Sequence, residues 1–390
     1  MSQQLISLSP DLKRLRDEGY EIQVRAGYLV MSHVPYVTRA RQVAFGDLVS
    51  ELTLAANRTA RPSSHVAMFS GSTPCDQMGA PLSRLINSSN RSTIGDGIVI
   101  DHTFSSKPTT GYADYYEKMT TYAAILGKYA SIIDPGAMAT TFRPVLSPDD
   151  DEVFTYVDTA SSRAGIAAIT ARLATGPVAI VGLGGTGAYI LDLMAKTPVR
   201  AIHLWDGDRF LQHNAFRAPG APSLAALEEQ PYKVDYFAAI YSNMHRAIVP
   251  HSEFVSEANV AQVLTVAFVF LALDSGPAKR VLVQQLEAAG RPFVDVGMGV
   301  HDVGGTLGAL LRVTTSTPHA EQPASHRLSY GDGAAPEYRT NIQIADLNAL
   351  NAALAVIRWK KYLSFYCDLE HEHHSTYQLD GNEITNEDRW

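Results

Sequence analysis

The sequence predicts an α/β fold, in which a Rossmann-like domain with a mainly parallel sheet follows a smaller α+β domain. From about residue 160 onward, apolar strand-like runs alternate with helix-like runs, the order that builds a parallel sheet. The first of these runs, Val178–Val181, is wholly apolar and leads directly into a glycine-rich turn. Residues 1–148 instead mix short strand-like and helix-like runs with loops rich in Ser, Gly and Pro, which is typical of an α+β domain.

Chain length and one polar stretch predict the domain boundary. A chain of 390 residues exceeds what a single hydrophobic core usually supports. Pro148 stands before three consecutive aspartates, a composition typical of a linker. We therefore expect one domain over residues 1–148 and a second over residues 149–390.

The elements follow from the spacing of apolar residues. In the first domain we expect strands at Tyr20–Val30, His65–Phe69 and Gly97–Ile100, and helices at Ala40–Ala56 and Asp114–Leu126. In the second, an amphipathic run over Ser162–Leu173 precedes strands at Val178–Val181, Ala201–Trp205, Thr265–Leu273, Phe293–Val296 and Thr306–Val313. Its helices are expected at Gly187–Lys196, Lys233–Met244, Ala278–Ala289 and Ile344–Tyr362.

Composition excludes several classes of function. A net charge of −8 disfavours binding to nucleic acid, because phosphate contacts require clustered Lys and Arg. No apolar run approaches the roughly 20 residues of a membrane helix, and the amino terminus does not resemble a secretory signal. We expect a cytoplasmic protein without a membrane partner. Its two cysteines, Cys75 and Cys367, are too few and too far apart for a disulfide framework or a paired-cysteine zinc site.

The run PVAIVGLGGTGAYILDLMAK predicts a phosphate-binding turn between a strand and a helix. Its glycines, which permit a tight turn and a close backbone approach to a phosphate, are Gly182, Gly184, Gly185 and Gly187. The amino terminus of the following helix stabilises the charge of the phosphate. The next strand ends at Asp206, whose carboxylate can accept hydrogen bonds from both ribose hydroxyls, and Asp208 lies beside it. These features alone fit any dinucleotide-binding domain, including that of a nicotinamide dehydrogenase.

The residues that follow resemble those of the ThiF, MoeB and ubiquitin-activating family. The runs DGDRFLQHNAFR, QPYKVDYFAAI and FLALDSGPAKR reproduce the order and spacing of its motifs over roughly residues 160–310, and more loosely through Asn341–Tyr362. The resemblance implies that Asp206 holds the ribose, that Asn214 and Arg217 contact the phosphates, that Lys233 reaches the triphosphate, and that Asp274 organises Mg²⁺. It also implies that Arg163 enters the site of a partner subunit, which predicts a homodimer.

The chemistry of adenylation agrees with these roles. A carboxylate must attack an α-phosphate that is already negative, so cations must neutralise the phosphate and a metal must stabilise the leaving pyrophosphate. Arg217 and Lys233 supply the cations, and Asp274 supplies an oxygen ligand of the kind Mg²⁺ prefers. The structural alternatives are surface ion pairs for Arg217 and Lys233, and a helix cap for Asp274.

The nucleophile of any later covalent step stays open. Thioester-forming relatives carry a cysteine in the segment that matches Arg312–Thr340, where this chain has only hydroxyls within Thr314–Ser325. Cys75 is the first thiol candidate, because the residues around it predict an exposed surface turn, whereas Cys367 is expected to pack as a small hydrophobe. The remaining alternatives are a hydroxyl in Thr314–Ser325 and a reaction that stops at the adenylate.

Two further segments have open interpretations. Residues 1–148, through Gly71–Cys75 and His102–Met119, resemble an uncharacterised domain that is fused to such modules in bacterial operons encoding ubiquitin-like proteins. That domain would serve as a recognition module or as a conjugating-enzyme-like domain. In the cluster Glu370–His374, His371 and His374 would share one helical face and could bind a metal, but a charged, solvated tail explains the cluster equally.

The leading hypothesis is an adenylyltransferase that uses ATP and Mg²⁺ to activate the C-terminal carboxylate of a ubiquitin-like protein in a bacterial ubiquitination-like pathway. Its partners would be that protein and a conjugating-enzyme-like protein. One alternative is the same chemistry on a small molecule or peptide. Another is a non-catalytic scaffold that keeps the fold and binds a partner.

Overall fold

A computed structural model describes residues 2–147, 152–273, 276–318, 324–328, 330 and 342–389. The chain divides into two compact units, Met1–Pro148 and Asp149–Trp390.

The first unit is built on an antiparallel sheet. Its helices are α1 (Ser2–Leu8), α2 (Pro10–Asp17) and α3 (Tyr115–Ile133). Its strands are β1 (Glu21–Arg25), β2 (Tyr28–Val37), β3 (Val43–Glu51), β4 (Leu54–Ala55), β5 (Arg58–Thr59), β6 (Val66–Ser70), β7 (Ile86–Ser88), β8 (Ser92–Ile94), β9 (Ile98–Ile100) and β10 (His102–Ser105). Six of them form the main sheet in the order β1-β2-β3-β6-β10-β7.

Helix α3 packs its apolar face against this sheet. Met119 and Tyr122 of the helix share one core with Phe69 of β6 and Phe104 of β10, and all four side chains are fully buried. Asp114 caps the helix, since its side chain accepts a hydrogen bond from the backbone N–H of Glu117 at 2.8 Å. The helix predicted at Asp114–Leu126 is therefore confirmed and extends to Ile133.

The helix predicted over Ala40–Ala56 is wrong. The segment forms strand β3, which pairs antiparallel with β2 from Val37↔Val43 to Tyr28↔Glu51. The apolar residues of the segment have a spacing compatible with a helix, but pairing with β2 and β6 decides its conformation. The strand predicted at Tyr20–Val30 likewise divides into β1 and the start of β2, because Ala26 and Gly27 form a turn with positive φ.

The second unit is a layered α/β structure. Its helices are α4 (Thr159–Arg163), α5 (Ala167–Thr170), α6 (Gly185–Met194), α7 (Gln212–Ala215), α8 (Leu224–Glu229), α9 (Lys233–Tyr241), α10 (Val260–Val263), α11 (Pro277–Ala288) and α12 (Ala345–Tyr362). Its strands are β11 (Val178–Val181), β12 (Ile202–Trp205), β13 (Ile248–His251), β14 (Phe268–Leu271), β15 (Phe293–Val303), β16 (Thr306–Ser316), β17 (Glu372–Gln378) and β18 (Glu383–Arg389).

The eight strands form one sheet in the order β13-β12-β11-β14-β15-β16-β17-β18. The first five run parallel and the remaining pairs are antiparallel. Helices α6, α9 and α12 pack on one face of the sheet, and α10 and α11 pack on the other. The predicted Rossmann-like fold with a mainly parallel sheet is confirmed, and the carboxyl ends of β11, β12 and β14 meet at one edge.

Two details of the predicted elements differ from the structure. The amphipathic run Ser162–Leu173 is not one helix: α4 and α5 are separated at Gly165, which has a φ of +71°. Strands β13, β17 and β18 were not predicted, and β15 and β16 extend well beyond their predicted ends as a long hairpin.

Within the described residues, no helix combines the length and the apolar character that crossing a membrane requires.

Candidate functional site

The glycine turn after β11 is held in place by packing at three of its four glycines. Gly182 has a φ of +91°, and a Cβ at Gly187 would lie only 1.9 Å from the Gly182 carbonyl oxygen. A Cβ at Gly185 would lie 2.0 Å from Asn348 Nδ2. Gly184 differs, because a Cβ added there would have Gln343 Oε1 as its nearest neighbour, at 4.0 Å. Gly184 therefore borders open space at the amino terminus of α6, where an anion is electrostatically favoured.

Asp206 is fixed next to this turn at the carboxyl end of β12. Its Oδ2 accepts a hydrogen bond from the backbone N–H of Leu183 at 2.7 Å, and its Oδ1 accepts one from the N–H of Asp208 at 2.8 Å. The side chain is almost fully buried. Each oxygen retains further acceptor capacity, which ribose hydroxyls could use.

Lys233 brings a positive charge to the same edge of the sheet. It is the first residue of α9, and its Nζ lies 2.6 Å from Asp208 Oδ2 and 3.5 Å from Asp206 Oδ2. Only 6% of the lysine is exposed. The alternative of a surface ion pair is therefore half right: Lys233 is ion-paired, but it is buried against the two predicted nucleotide carboxylates. A bound phosphate could replace Asp208 as the ion-pair partner of the ammonium group.

Asn214 and Arg217 are the next two predicted site residues along the chain. Asn214 Oδ1 accepts a hydrogen bond from Leu211 N–H at 2.8 Å and so orders the short helix α7. The guanidinium Nε of Arg217 is buried and has no hydrogen-bond partner among the described residues. The side chain as a whole is half-buried, so an anionic acceptor could still reach the guanidinium group.

Asn348 was not predicted as a site residue, yet its side chain links helix α6 to the backbone of Arg217. It is fully buried on α12. Its Nδ2 donates to the backbone oxygen of Arg217 at 3.2 Å, and its Oδ1 accepts from Thr186 Oγ1 at 2.9 Å. Two asparagines, Asn348 and Asn351, stand among the apolar residues of the predicted helix, and this was the signal that could have identified it. Gln343, just before this helix, adds a buried Oε1 without a partner among the described residues.

Asp274, the predicted metal ligand, lies outside the described residues, and its role stays a prediction. In the described part of the chain, no cluster of three or more His, Cys, Asp and Glu is arranged to hold a metal ion. Mg²⁺ often takes only one or two protein carboxylates and completes its shell with phosphates and water, so such a cluster is not required.

The prediction that Cys75 lies exposed on a surface turn is wrong. Cys75 is 1% exposed, and its backbone bridges Val37 and Pro81, which turns the side chain inward. Burial raises the pKa of its thiol, and its Sγ donates to the Thr73 carbonyl. Both properties are opposite to those of a nucleophilic thiol. The expectation for Cys367 is also wrong: it is exposed, because helix α12 ends at Tyr362 and the chain turns outward.

The hydroxyl candidates of the second unit are mostly buried. Thr314, Thr315 and Ser316 belong to strand β16, and Thr317 follows it; all four are less than 9% exposed. Thr314 Oγ1 lies 2.9 Å from His374 Nδ1. For Ser325, at the far end of this candidate stretch, the side chain lies outside what the structure describes.

The cluster Glu370–His374 is neither a helical metal site nor a solvated tail. It leads into strand β17, where His373 Nδ1 bonds the Thr315 carbonyl at 3.1 Å. Glu372 pairs with Arg358 and Lys361 of α12. These contacts attach β17 to the rest of the unit. Arg163 is the last residue of α4 and is exposed, and its predicted place in a partner's site stays a prediction.

Two family models match the chain. The model described as the ThiF family matches residues 161–388, more than half of the sequence. The domain of unknown function DUF6791 matches residues 10–159. Among proteins with curated descriptions, none matches this sequence.

The solved structures that resemble this chain are remote in sequence. Escherichia coli MccB with MccA-N7isoASN is 16% identical over 60% of this chain and 70% of its own, with a TM-score of 0.47. The microcin C7 biosynthetic enzyme MccB in complex with N-formylated MccA is 15% identical over 59% and 70%, also with a TM-score of 0.47. PaaA is 14% identical over 77% of this chain and 98% of its own, with the same TM-score.

Proposed function

This chain belongs to the ThiF family, and on that premise we propose that it uses ATP to adenylate a carboxylate at the glycine turn of its second unit. The observation that carries the proposal is Arg217, a half-buried arginine beside Gly185 whose Nε has no acceptor among the described residues. An ATP phosphate would supply that acceptor. Neither a structural turn nor a nicotinamide site requires a second cation, Lys233, held at the same edge of the sheet.

Each polar group has a definite task in this proposal. Asp206, preoriented by Leu183, would accept hydrogen bonds from the ribose. The open side of Gly184 and the amino terminus of α6 would receive the phosphates. Asn214 would contact them through its amide group, whose oxygen already bonds Leu211. Asp274 would supply a carboxylate ligand to Mg²⁺, which when bound draws negative charge from the leaving pyrophosphate.

The reaction itself requires charge neutralisation more than proton transfer. The substrate carboxylate attacks the α-phosphorus, a P–O bond forms, and the bond to the pyrophosphate oxygen breaks. Negative charge moves onto the leaving group, where Arg217 and Lys233 stabilise it. Lys233 is suited to this role because its charge is already held by Asp208 in the free protein, and moving from a carboxylate to a phosphate keeps it paired.

We propose that the substrate is the C-terminal carboxylate of a ubiquitin-like protein. The support is the resemblance of residues 1–148 to a domain fused to adenylating modules in operons that encode such proteins. A conjugating-enzyme-like protein would be the next partner, in the cytoplasm. Homodimerisation would bring Arg163 of one subunit to the site of the other.

ATP–pyrophosphate exchange with the full chain tests the proposal. Labelled pyrophosphate should enter ATP only when Mg²⁺ and a small protein ending in Gly-Gly are present. The same protein without its two terminal glycines is the matched control. Exchange with a short peptide or free acid, and not with the small protein, would contradict the ubiquitin-like substrate but still support adenylation. Absence of ATP binding, or binding of NAD instead, would overturn the adenylation proposal.

A further inference from the structure

A second group of reactive side chains lies in the first unit. Ser89 follows strand β7 and is exposed, and its Oγ lies 2.9 Å from Nδ1 of His102. His102 is the first residue of β10 and is only 5% exposed. An exposed hydroxyl therefore rests against a histidine that the sheet holds in place, the arrangement of a nucleophile and its general base.

The surroundings of the histidine favour transfer of a proton from Ser89 to the ring. Burial is the largest influence on the pKa of His102 and lowers it, while the charge of Asp101 and a hydrogen bond to the Gly71 backbone act in the opposite direction. Because Nδ1 faces Ser89, we assign the ring proton to Nε2. Nδ1 is then free to accept the Ser89 proton. The lowered pKa keeps the ring in its neutral form near pH 7, the form that can accept a proton.

Two charged residues complete the group. Asp101 precedes His102, and its Oδ2 accepts a hydrogen bond from the Gly71 N–H at 2.9 Å, which holds the Gly71 backbone next to this strand. Arg91, two residues after Ser89, is exposed and lies 3.8 Å from Asp101. A pair at this distance with a largely exposed arginine is weak, so Arg91 can exchange its carboxylate partner for an anionic ligand.

We propose that Ser89 is an acyl-accepting nucleophile with His102 as its base, and that its acyl donor is an acyl phosphate anhydride. This rests on the proposed function, since an acyl-adenylate is the product of adenylation. Ser89 Oγ attacks the acyl carbon and its proton passes to His102 Nδ1. The bond from the acyl carbon to the phosphate oxygen breaks, and AMP leaves as an anion that Arg91 can pair. The product is a serine ester of the acyl group.

Other nucleophiles in the first unit are less suited. Cys75 is buried. Ser105 Oγ lies 3.1 Å from His65 Nε2, but both residues are half-buried. Ser88, next to Ser89, is also half-buried, and its Oγ bonds Thr103 Oγ1 at 2.7 Å. Ser89 combines exposure with a direct contact to the ring of a buried histidine.

The test uses a fluorophosphonate probe on the full chain at about pH 7.5, near which a neutral histidine can act as a base, followed by intact mass and peptide mapping. Ser89 should carry the phosphonate. Ser89→Ala should remove the label, His102→Gln should slow labelling at least tenfold, and Ser88→Ala should label at the wild-type rate. Preferential labelling of another residue, or an unchanged rate in His102→Gln with a native thermal midpoint, would overturn the proposal.

A second measurement uses only the wild type, so it tests the proposal even if the His102→Gln variant does not fold. In the wild type, the labelling rate should be constant from pH 8 to pH 7. It should fall at lower pH, because the ring becomes protonated as the pH approaches the lowered pKa of His102. Asp101 is the charged group that acts on this ring. A rate that instead rises tenfold per pH unit up to pH 9 would indicate an unassisted hydroxyl. Bound ATP together with an unlabelled Ser89 would overturn the acyl-acceptor proposal alone. A labelled Ser89 in a chain without ATP binding would overturn the proposed function and leave the Ser89 nucleophile supported.

Discussion

Asp206 accepts a hydrogen bond from the backbone N–H of Leu183 at 2.7 Å. The contact joins the carboxyl end of β12 to the glycine turn after β11, and the second carboxylate oxygen is held by the N–H of Asp208. The ribose-binding group and the phosphate-binding turn are thus fixed relative to each other before any nucleotide arrives. Such preorganisation lowers the entropic cost of binding the nucleotide and of the reaction.

Gly184→Ala and Gly187→Ala form a matched pair that separates packing from binding. Gly187→Ala places a methyl group 1.9 Å from a carbonyl oxygen and should lower the thermal midpoint by several degrees or prevent folding. Gly184→Ala meets no atom closer than 4.0 Å, so the fold should persist, while ATP binding weakens because the methyl group occupies the open side of the turn. Thermal unfolding and calorimetric ATP titration measure the two effects. Equal ATP affinity in Gly184→Ala and wild type would place the phosphates elsewhere.

Arg217→Ala should lower the rate of exchange at least tenfold, since one cation facing the triphosphate contributes about 2–4 kcal/mol to the transition state. Its thermal midpoint should not fall, because the buried Nε has no partner to lose among the described residues. Arg200→Ala, which changes an exposed arginine of the same unit, is the control and should exchange at the wild-type rate. A full exchange rate in Arg217→Ala would remove this residue from the site.

Lys233→Met should affect both activity and stability, in contrast to Arg217→Ala. It keeps the length of the side chain but leaves the buried Asp206 without its cation, which should lower the free energy of unfolding by roughly 1–3 kcal/mol. Exchange should fall at least tenfold. Urea denaturation and the exchange assay measure the two effects. If stability falls while exchange persists, the Lys233 ion pair is structural only.

Asp274→Asn tests the predicted metal ligand. It conserves the shape of the side chain and removes the charge, so ATP binding without metal should change little while Mg²⁺-dependent exchange is lost. The measurement is exchange as a function of Mg²⁺ concentration. A variant that reaches the wild-type plateau at the same Mg²⁺ concentration would contradict the role of Asp274.

Local signals in the sequence predicted one part of the fold, and long-range pairing determined the rest. Val178–Val181 is an apolar strand buried along its whole length and is followed by glycines, so its bounds were predicted to the residue. Strand β3 was mistaken for a helix because its conformation depends on pairing with β2 and β6. Strand β17 was missed for a similar reason: its histidines and glutamate become buried only by contact with β16 and α12.

The site was predictable wherever a residue type and its spacing carry the chemistry. Asp206 and Lys233 lie together at the sheet edge, as their positions after β12 and at the start of α9 imply. Asn348 could not be placed, since its role depends on how α12 packs beside the glycine turn. The exposure of Cys75 was misjudged because the turn-like residues before it did not reveal the bridges to Val37 and Pro81.

His245 should make the second unit less stable in mild acid. Its side chain is fully buried; Nε2 bonds the Val199 carbonyl at 3.0 Å, and Nδ1 accepts from Ala247 N–H. Burial lowers the pKa of the ring in the folded protein. Since the unfolded histidine titrates near about pH 6.5, the unfolded state binds more protons between that pH and the lower folded pKa. Stability from this group is therefore complete above about pH 6.5 and declines as the pH falls below it.

The measurement is the urea midpoint of the full chain at about pH 7.5 and about pH 5.5, one unit on either side of the unfolded pKa. His245→Gln keeps an amide donor for the Val199 carbonyl and cannot be protonated, so the difference between the two midpoints should shrink relative to wild type. It will not vanish, because burial also lowers the pKa of His203 and His251 in this unit. His213→Gln, at an exposed position, is the control and should leave the difference unchanged. An equal pH dependence in His245→Gln and wild type would show that His245 does not contribute to the loss of stability in acid.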